Sequence, residues 1–195
     1  MAAATVEAAG HHDTLDPKTR LRANRLGLWI FIASESFLFA AVIAARFYLL
    51  GVDRPEHLNQ ELALLITAVL LLSSVSAFRA EDAMAHNDRP AFFRNMSATL
   101  FFGLVFMVGV FFEYREGMEF FPPQTLYGSV FFITIGLHAF HVLTGMIALA
   151  LVINLAAKGH YGRDDYWGVE ATVKYWHFVD VAWVFIYPAL YLVSW

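Results

Sequence analysis

Residues 26–50 read LGLWIFIASESFLFAAVIAARFYLL, an apolar run in which only Glu35 and Arg46 carry charge in water at neutral pH. A hydrocarbon core about 30 Å thick is crossed by roughly 20 helical residues, so this run is long enough to span a membrane. Its apolar residues are continuous and do not alternate with polar ones, as they would in a membrane β-strand. The run therefore predicts a transmembrane helix.

Four further apolar runs follow along the chain. Together with the first run they predict spans at about residues 26–50, 62–78, 97–112, 127–157 and 175–195. Only 15% of the 195 residues are charged, against roughly 25% in soluble domains. We therefore expect an all-α polytopic membrane protein. A bundle of five transmembrane helices would occupy residues 26–195, after a polar cytoplasmic tail over residues 1–25.

The distribution of basic residues predicts the orientation of the bundle. With a cytoplasmic N-terminus, ten of the 13 Lys and Arg residues lie on the inner side, as the positive-inside rule requires. The inner set is Lys18, Arg20, Arg22, Arg25, Arg79, Arg89, Arg94, Lys158, Arg163 and Lys174, and the outer set is Arg46, Arg54 and Arg115. The prediction is an N-terminus inside and a C-terminus outside.

Composition excludes several classes of function. The chain contains no cysteine, which rules out thiolate metal sites, disulfides and cysteine nucleophiles. Its formal net charge of −4 is small and gives no indication of a nucleic-acid partner.

Glu35 lies inside the first predicted span, between Ser34 and Ser36. A charged side chain at membrane depth costs about 2.5–3.5 kcal/mol on insertion scales, so such groups usually face protein and serve a purpose. One interpretation is a protonated carboxyl that is hydrogen-bonded to a neighbouring helix. The interpretation that we favour is a proton relay or a group that binds lipid or substrate.

Two pairs of polar residues are spaced so that each pair shares one helix face. His138 and His141 occur in GLHAFHV, and His177 and Asp180 occur in YWHFVD. Paired membrane histidines raise a haem or copper hypothesis, but the chain supplies too few other ligands, and we predict hydrogen bonding or lipid contact and no metal site. The aspartate would accept a hydrogen bond from its histidine within an interhelical or intersubunit network. Because no nucleophile stands beside either pair in sequence, no catalytic residue is predicted.

Five segments carry a family resemblance, and they occur collinearly over about 170 residues. They are LGLWIFIASESFLFA, LLLSSVSAFRAEDA, FFEYREGMEF, YGSVFFITIGLHAFHVLTG and GVEATVKYWHFVDVAWVFIYPALYLVSW. In this order they resemble subunit III of the haem–copper oxidases, the family of cytochrome c and quinol oxidases. The histidine pair followed by YWHFVD is the most specific part of the match.

The resemblance implies a role in aerobic respiration and the electron transport chain. The complex would be a cytochrome c oxidase that reduces O2 at a haem–copper centre in subunit I and translocates protons. This chain would be a non-redox accessory subunit without a cofactor of its own, since haem and copper belong to partner subunits. It would contact subunit I directly, assemble with subunit II, hold structural phospholipid, and support proton uptake and turnover.

The resemblance also implies a set of site residues. The buried polar or lipid-binding set is Glu35, His138, His141, Glu170, His177 and Asp180. Basic residues at the inner surface would contact phosphate head groups, namely Arg79, Arg94 and Lys158.

Several alternatives stay open at this point. The long form of the family has seven spans and this chain matches the last five, a pattern of short bacterial forms that favours a bacterial plasma membrane. Glu35 in its SES context favours cytochrome c as the electron donor, while a quinol oxidase and a nitric-oxide-reductase-associated relative are alternatives. A remote alternative is a small proton-coupled transporter, although transporters commonly show internal repeats and broken helices and only Pro188 interrupts a span here.

Overall fold

The computed structural model describes residues 16–51 and 58–193. In these ranges the chain forms five α-helices, α1 Pro17–Leu50, α2 Gln60–Ala85, α3 Arg89–Phe120, α4 Leu126–Ala157 and α5 Trp167–Tyr187, followed by a π-helical turn at Pro188–Leu192. Most of the predicted tail, the outer-side Arg54 and the last two residues of the fifth predicted span lie outside the described residues.

The predicted all-α bundle is confirmed, and each predicted span falls on one of the five helices. By length and composition, α1 to α4 are long and apolar enough to cross a membrane. Helix α5 has 21 residues and carries Glu170, Lys174 and Asp180, and the π-helical turn prolongs it. The predicted orientation, with the N-terminus inside, stays a prediction.

Every helix except α4 extends well beyond its predicted span: α2 continues to Ala85 and α5 begins at Trp167, and α1 and α3 also exceed theirs. Helix α1 begins at Pro17, so residues 17–25 of the predicted tail are helical; proline at a first helical position already has a helical φ. Helix α3 covers both ends of the short predicted span 97–112. It can begin so early because the Asp88 side chain accepts a hydrogen bond from the Ala91 backbone N–H and caps the helix.

The core is built from α2, α3, α4 and α5, with α2 and α3 forming the most extensive helix pair. Trp176 of α5 lies fully buried at its centre and donates from Nε1 to the Ser73 hydroxyl of α2 over 2.9 Å. The indole fits against two glycines. A Cβ atom on Gly103 would lie 2.7 Å from Cη2 of this tryptophan, and one on Gly145 would lie 2.9 Å from its Cε3. Helices α3 and α4 therefore approach α5 closely because neither has a side chain at these positions.

Side-chain hydrogen bonds also join the helices of the core. Trp183 of α5 donates to the Thr67 hydroxyl of α2 over 2.8 Å, and Ser76 of α2 is hydrogen-bonded to Thr99 of α3 at the same distance. Such bonds are valuable in lipid because no water competes for the donors and acceptors. They fix the rotation of α2 relative to its neighbours.

Helix α1 packs against one side of this core, where it contacts α4, α5 and the π-helical turn. Its buried residues are Ile32, Phe39 and Arg46, while Trp29 and Phe37 are among the large apolar side chains that it exposes. An apolar groove of about 620 Å³ separates α1 from α5, with Ala40 and Ala44 on the α1 wall. The first helix is therefore the most loosely packed one of the described bundle.

Candidate functional site

The Glu35 carboxyl of α1 meets the His141 imidazole of α4 at the contact between these two helices. Oε2 of Glu35 lies 3.1 Å from Nε2 of His141. The histidine side chain is 6% exposed and the glutamate side chain is 22% exposed, so the carboxyl is reached from one side. The helix contact therefore places the two polar groups where each supplies a partner for the other.

The contact of the second ring nitrogen of His141 determines which atoms of the pair are protonated. Nδ1 lies 2.8 Å from the Leu137 carbonyl oxygen, and because a carbonyl only accepts, Nδ1 must hold a proton. The bond to Glu35 then needs one further proton between the two groups. Either a protonated Glu35 donates to a neutral imidazole, or an imidazolium donates to a carboxylate. Both arrangements have zero net charge, which is the state that costs least in a membrane.

A groove of about 460 Å³ opens beside this pair on the surface of the bundle. Glu35 and His141 line it together with Phe31, Phe140 and Tyr175, among other residues. Polar atoms in a groove of otherwise apolar and aromatic lining are a common feature of small-ligand sites. The groove presents the free side of Glu35 to whatever occupies it.

Tyr175 extends the polar cluster from α5. Its hydroxyl lies 2.8 Å from the Thr144 hydroxyl, and Thr144 in turn donates to the His141 backbone carbonyl over 2.9 Å. The polar groups of α1, α4 and α5 therefore meet at one level of the bundle. Sequence reasoning missed Tyr175 and Thr144. Both lie on other helices than Glu35, so no spacing within one helix relates them to it.

His138 has a different environment from its neighbour. It is fully buried, and its ring packs 4.8 Å from the Trp183 ring and 5.6 Å from the Phe106 ring. Neither imidazole nitrogen has a hydrogen-bonding partner among the described residues. Phe39 contacts both histidines, which confirms that they share a helix face. The structure gives His138 a place in an aromatic cluster and no contact with Glu35.

His177 and Asp180 do not form the predicted hydrogen bond. Nδ1 of His177 lies 2.6 Å from the Ser74 hydroxyl of α2 instead. The Asp180 carboxyl is buried beside the same serine but outside hydrogen-bonding geometry. The reason is that α2 crosses α5 at this level and offers the histidine a hydroxyl. This cluster is interhelical, as predicted, and it is separate from the one around Glu35.

Glu170 lies at the start of α5, before the predicted fifth span, in an ion cluster that joins three helices. It pairs with Arg25 of α1 at 2.9 Å and with Lys174 at 2.6 Å, and Lys174 also reaches Glu81 of α2 at 3.7 Å. Burial alone would raise the pKa of Glu170, but the hydrogen bonds from Arg25 and Lys174 outweigh it and lower the pKa below 4.5. Glu170, predicted as a buried polar or lipid-binding residue, thus forms a specific link between α1 and α5.

The remaining predicted residues are at the surface. Arg79, Arg94 and Lys158 are exposed, and none of them forms an ion pair with another described residue. The six predicted polar residues thus belong to several separate places and not to one network. Within the described part of the chain, no group of three or more His, Asp or Glu residues is arranged to hold a metal ion.

Two further charged residues, Arg46 and Glu113, are more deeply buried than the sequence indicated. Arg46, assigned to the outer surface, is 1% exposed, donates to the Gly51 carbonyl and lies over the Phe47 and Tyr127 rings. Glu113, which follows the third predicted span directly, is 4% exposed. The available signal was position, because both residues lie within or directly after an apolar run.

Comparison with known proteins gives a consistent picture over almost the whole chain. The family model described as cytochrome c oxidase subunit III matches residues 4–195. The chain is 34% identical to cytochrome c oxidase subunit 3 of Danio rerio, 33% to that of Sus scrofa and 31% to that of Coturnix japonica. In all three cases the alignment spans 194 residues and covers 93% of this chain and 72% of the relative.

Proposed function

The chain belongs to the cytochrome c oxidase subunit III family, and we propose that it acts as the non-redox accessory subunit of a proton-translocating terminal oxidase. In this role it stabilises subunit I by direct contact, assembles with subunit II, and holds structural phospholipid beside the catalytic subunit. Haem and copper are carried by the partner subunits. Cytochrome c is the proposed electron donor, because the matched relatives are cytochrome c oxidase subunits.

The observation that carries the proposal is the Glu35–His141 pair in its open groove. A carboxyl that is only partly exposed and neutralised by an imidazole can lie in the membrane without a counter-ion. Its free side faces a groove with aromatic walls, which suits the glycerol and ester region of a lipid. We assign lipid positioning mainly to this pair. Tyr175 and Thr144, which line the same groove, assist it.

Other polar residues support the same role in different ways. His138 and Asp180 lie buried in α4 and α5, and half-buried His177 is hydrogen-bonded to Ser74 of α2. We assign these three residues a role in orienting α4 and α5, which form part of the groove wall. Glu170 links α1 to α5 at the end where the bundle begins. Exposed Arg79, Arg94 and Lys158 are placed to meet lipid phosphates if that end faces the cytoplasm.

Support of proton uptake follows from the protonation of the pair. The hydrogen bond between Glu35 and His141 needs one proton between the two groups, so the bundle holds a proton-carrying pair beside the groove. A lipid that covers the groove would keep the pair neutral during turnover. We propose a bacterial plasma membrane as the location, because five helices are typical of the short bacterial form. We propose a cytoplasmic N-terminus because ten of the 13 Lys and Arg residues would then lie on the inner side.

Removal of the pair in the assembled oxidase tests the proposal. Glu35→Leu and His141→Leu are expected to lower the amount of phospholipid that co-purifies, measured by native mass spectrometry. The lifetime of activity under sustained turnover should fall several-fold, while the initial rate changes little. Glu61→Gln, on an exposed carboxyl of α2, is the matched control. Unchanged lipid content and unchanged lifetime in complexes that retain this subunit would contradict the proposal.

A further inference from the structure

A small cavity lies at the end of the bundle where α2 begins and α3 ends, beside the π-helical turn. It has a volume of about 10 Å³, which is close to the smallest space that holds one water molecule. Its polar lining consists of Asn59, Glu113, Glu116 and Tyr191, and the rest of the lining is apolar or aromatic. The proposed function uses none of these four residues.

Glu113 is the deeply buried acidic group of this cavity. The residue is 4% exposed, and neither of its carboxylate oxygens has a hydrogen-bonding partner among the described residues. The Tyr191 hydroxyl lies beside it, outside hydrogen-bonding geometry, and one hydroxyl donates to only one of two oxygens. A buried carboxylate without partners has lost its hydration. A ligand in the cavity would replace the lost water.

A second carboxylate adds to the negative charge of the cavity. Glu116 follows Glu113 by three positions on α3, so the two side chains lie on one helix face, and its charge acts on Glu113. Oε2 of Glu116 accepts a hydrogen bond of 3.2 Å from the Asn59 amide, which is neutral and leaves the charge unbalanced. The described residues that line the cavity include no lysine, arginine or histidine. Two carboxylates therefore converge on a space without a counter-charge.

The ligand atoms of the cavity are all oxygens, and this selects a hard cation. Carboxylate, amide and hydroxyl oxygens suit Ca²⁺ and Mg²⁺, whereas Zn²⁺ is bound mainly by nitrogen and sulfur. Mg²⁺ demands a near-ideal octahedron and usually keeps several waters, but Ca²⁺ accepts irregular sets of oxygens. A cavity with room for about one water-sized body therefore favours Ca²⁺. The sequence-based expectation of no metal site concerned the histidine pairs and did not consider these carboxylates.

From this geometry we propose that the cavity is a Ca²⁺ site. Glu113 supplies the buried carboxylate and Glu116 the second one. Oδ1 of Asn59 accepts from the Leu62 backbone N–H over 3.1 Å and keeps a second lone pair for the ion, and the Tyr191 hydroxyl oxygen is a further neutral ligand. The ion joins the start of α2, the end of α3 and the π-helical turn. With two carboxylates, we expect a dissociation constant of about 10⁻⁴–10⁻³ M, the range of extracellular calcium modules.

The test uses the purified oxidase complex that contains this chain, after removal of divalent cations with a chelator. Bound Ca²⁺ is counted with the radioactive ion, and Tb³⁺, which takes the same oxygen ligands, is detected by luminescence sensitised by a nearby tyrosine. Glu113→Gln keeps the shape of the side chain and should remove one Ca²⁺ per complex. Residues that only orient metal ligands contribute about 10–100-fold to metal affinity, so loss of a direct ligand should weaken Tb³⁺ binding at least about tenfold.

The control is Glu119→Gln, because Glu119 is an exposed carboxylate of the same helix that does not line the cavity. It should leave Ca²⁺ binding unchanged. Sites in other subunits cancel when each variant is compared with the wild-type complex.

Asn59→Asp tests the same site in the opposite direction. Aspartate also caps a helix, so α2 is preserved, and a third carboxylate should strengthen Ca²⁺ binding. Because a ligand that binds the folded state stabilises it, Ca²⁺ should raise the thermal midpoint for dissociation of this subunit in the wild type and in Asn59→Asp. Glu113→Gln should abolish that rise. If Glu113→Gln does not assemble, the gain in Asn59→Asp still decides the matter.

Several results would overturn the inference. One is an equal Ca²⁺ count in the wild type and Glu113→Gln, and another is an equal loss in Glu119→Gln. A thermal midpoint that does not respond to Ca²⁺, with no gain in Asn59→Asp, would show that Glu113 and Glu116 share a proton and bind no cation. Tighter binding of Mg²⁺ than of Ca²⁺ would refute the choice of ion. Lipid content and turnover lifetime are not measured here, so failure of this inference and failure of the proposed function are distinguishable.

Discussion

Glu35 on α1 and His141 on α4 are joined by a hydrogen bond of 3.1 Å. This bond links the middle of α1 to the rest of the bundle, whereas the Arg25–Glu170 pair lies near the start of the helix and Arg46 lies over the Tyr127 ring near its end. A helix with such sparse packing depends on its polar contacts more than the core helices do. The pair therefore has a structural role that can be separated from its proposed role in lipid positioning.

Substitutions of Glu35 should distinguish hydrogen bonding from charge. Glu35→Gln should leave the stability of the subunit nearly unchanged, because an amide N–H can donate to Nε2 of a neutral His141. Glu35→Leu leaves that nitrogen unpaired and should cost about 1–2 kcal/mol. The measurement is the thermal midpoint for dissociation of this subunit from the complex. Equal losses in both variants would show that the pair needs an ionised carboxylate.

The ion cluster at Glu170 predicts loss of stability in acid. Hydrogen bonds from Arg25 and Lys174 lower the pKa of Glu170 below 4.5 in the folded protein. A lowered carboxyl pKa contributes stability that is present above the unfolded pKa and is lost as the pH falls through the folded one. The thermal midpoint should therefore decline below about pH 4.5, and Glu170→Gln should flatten that decline. Glu61→Gln is the reference variant. If the thermal midpoint of Glu170→Gln declined with falling pH as steeply as that of the wild type, the acid sensitivity would belong to other carboxylates.

Gly103 predicts a steric effect at the centre of the core. A Cβ atom there would lie 2.7 Å from the Trp176 ring, so Gly103→Ala should displace the indole and cost about 1–3 kcal/mol. Gly27→Ala on α1 is the matched control, because nothing lies within 4 Å of its added Cβ. Thermal unfolding and Trp fluorescence would measure both variants. A Gly103→Ala protein as stable as Gly27→Ala would contradict the close packing of α3 on α5.

The bond between Trp183 and Thr67 can be measured by a double-mutant cycle. Trp183→Phe and Thr67→Val each remove one partner of the 2.8 Å hydrogen bond between α5 and α2. Interhelical hydrogen bonds of this kind in membranes contribute about 0.6 kcal/mol on average and about 1.7 kcal/mol at most. We expect a coupling energy in that range, from thermal or denaturant unfolding. Additive effects of the two changes would show that the bond does not contribute.

Much of the fold follows from local sequence signals. Continuous apolar runs predicted five helices in the right places, because the length needed to cross a membrane is a simple physical threshold. Helix ends were less predictable. Helix α3 extends to Phe120 through Glu113 and Arg115, and a search for apolar runs ends where charged residues follow one another closely, even though the helix continues.

The site was predictable as a set of residues but not as a set of contacts. The cost of burying charge singled out Glu35 from sequence, the helical spacing of the histidines singled out His141, and the family resemblance added Glu170. Their partners come from helices distant in sequence. Glu35 is 106 residues from His141, and Arg25 is 145 residues from Glu170. No local spacing rule reports such pairs.

The sequence by itself determined that this chain is a polytopic helical membrane protein of one oxidase family, because apolar run length and two specific polar motifs are local properties. Only the tertiary structure decided which polar groups meet. His177 could reach either Asp180 on its own helix or a group on another helix, and the crossing of α2 over α5 gave it Ser74 at 2.6 Å. Helix rotation and crossing depend on the packing of the whole bundle, as the place of Trp176 between Gly103 and Gly145 illustrates.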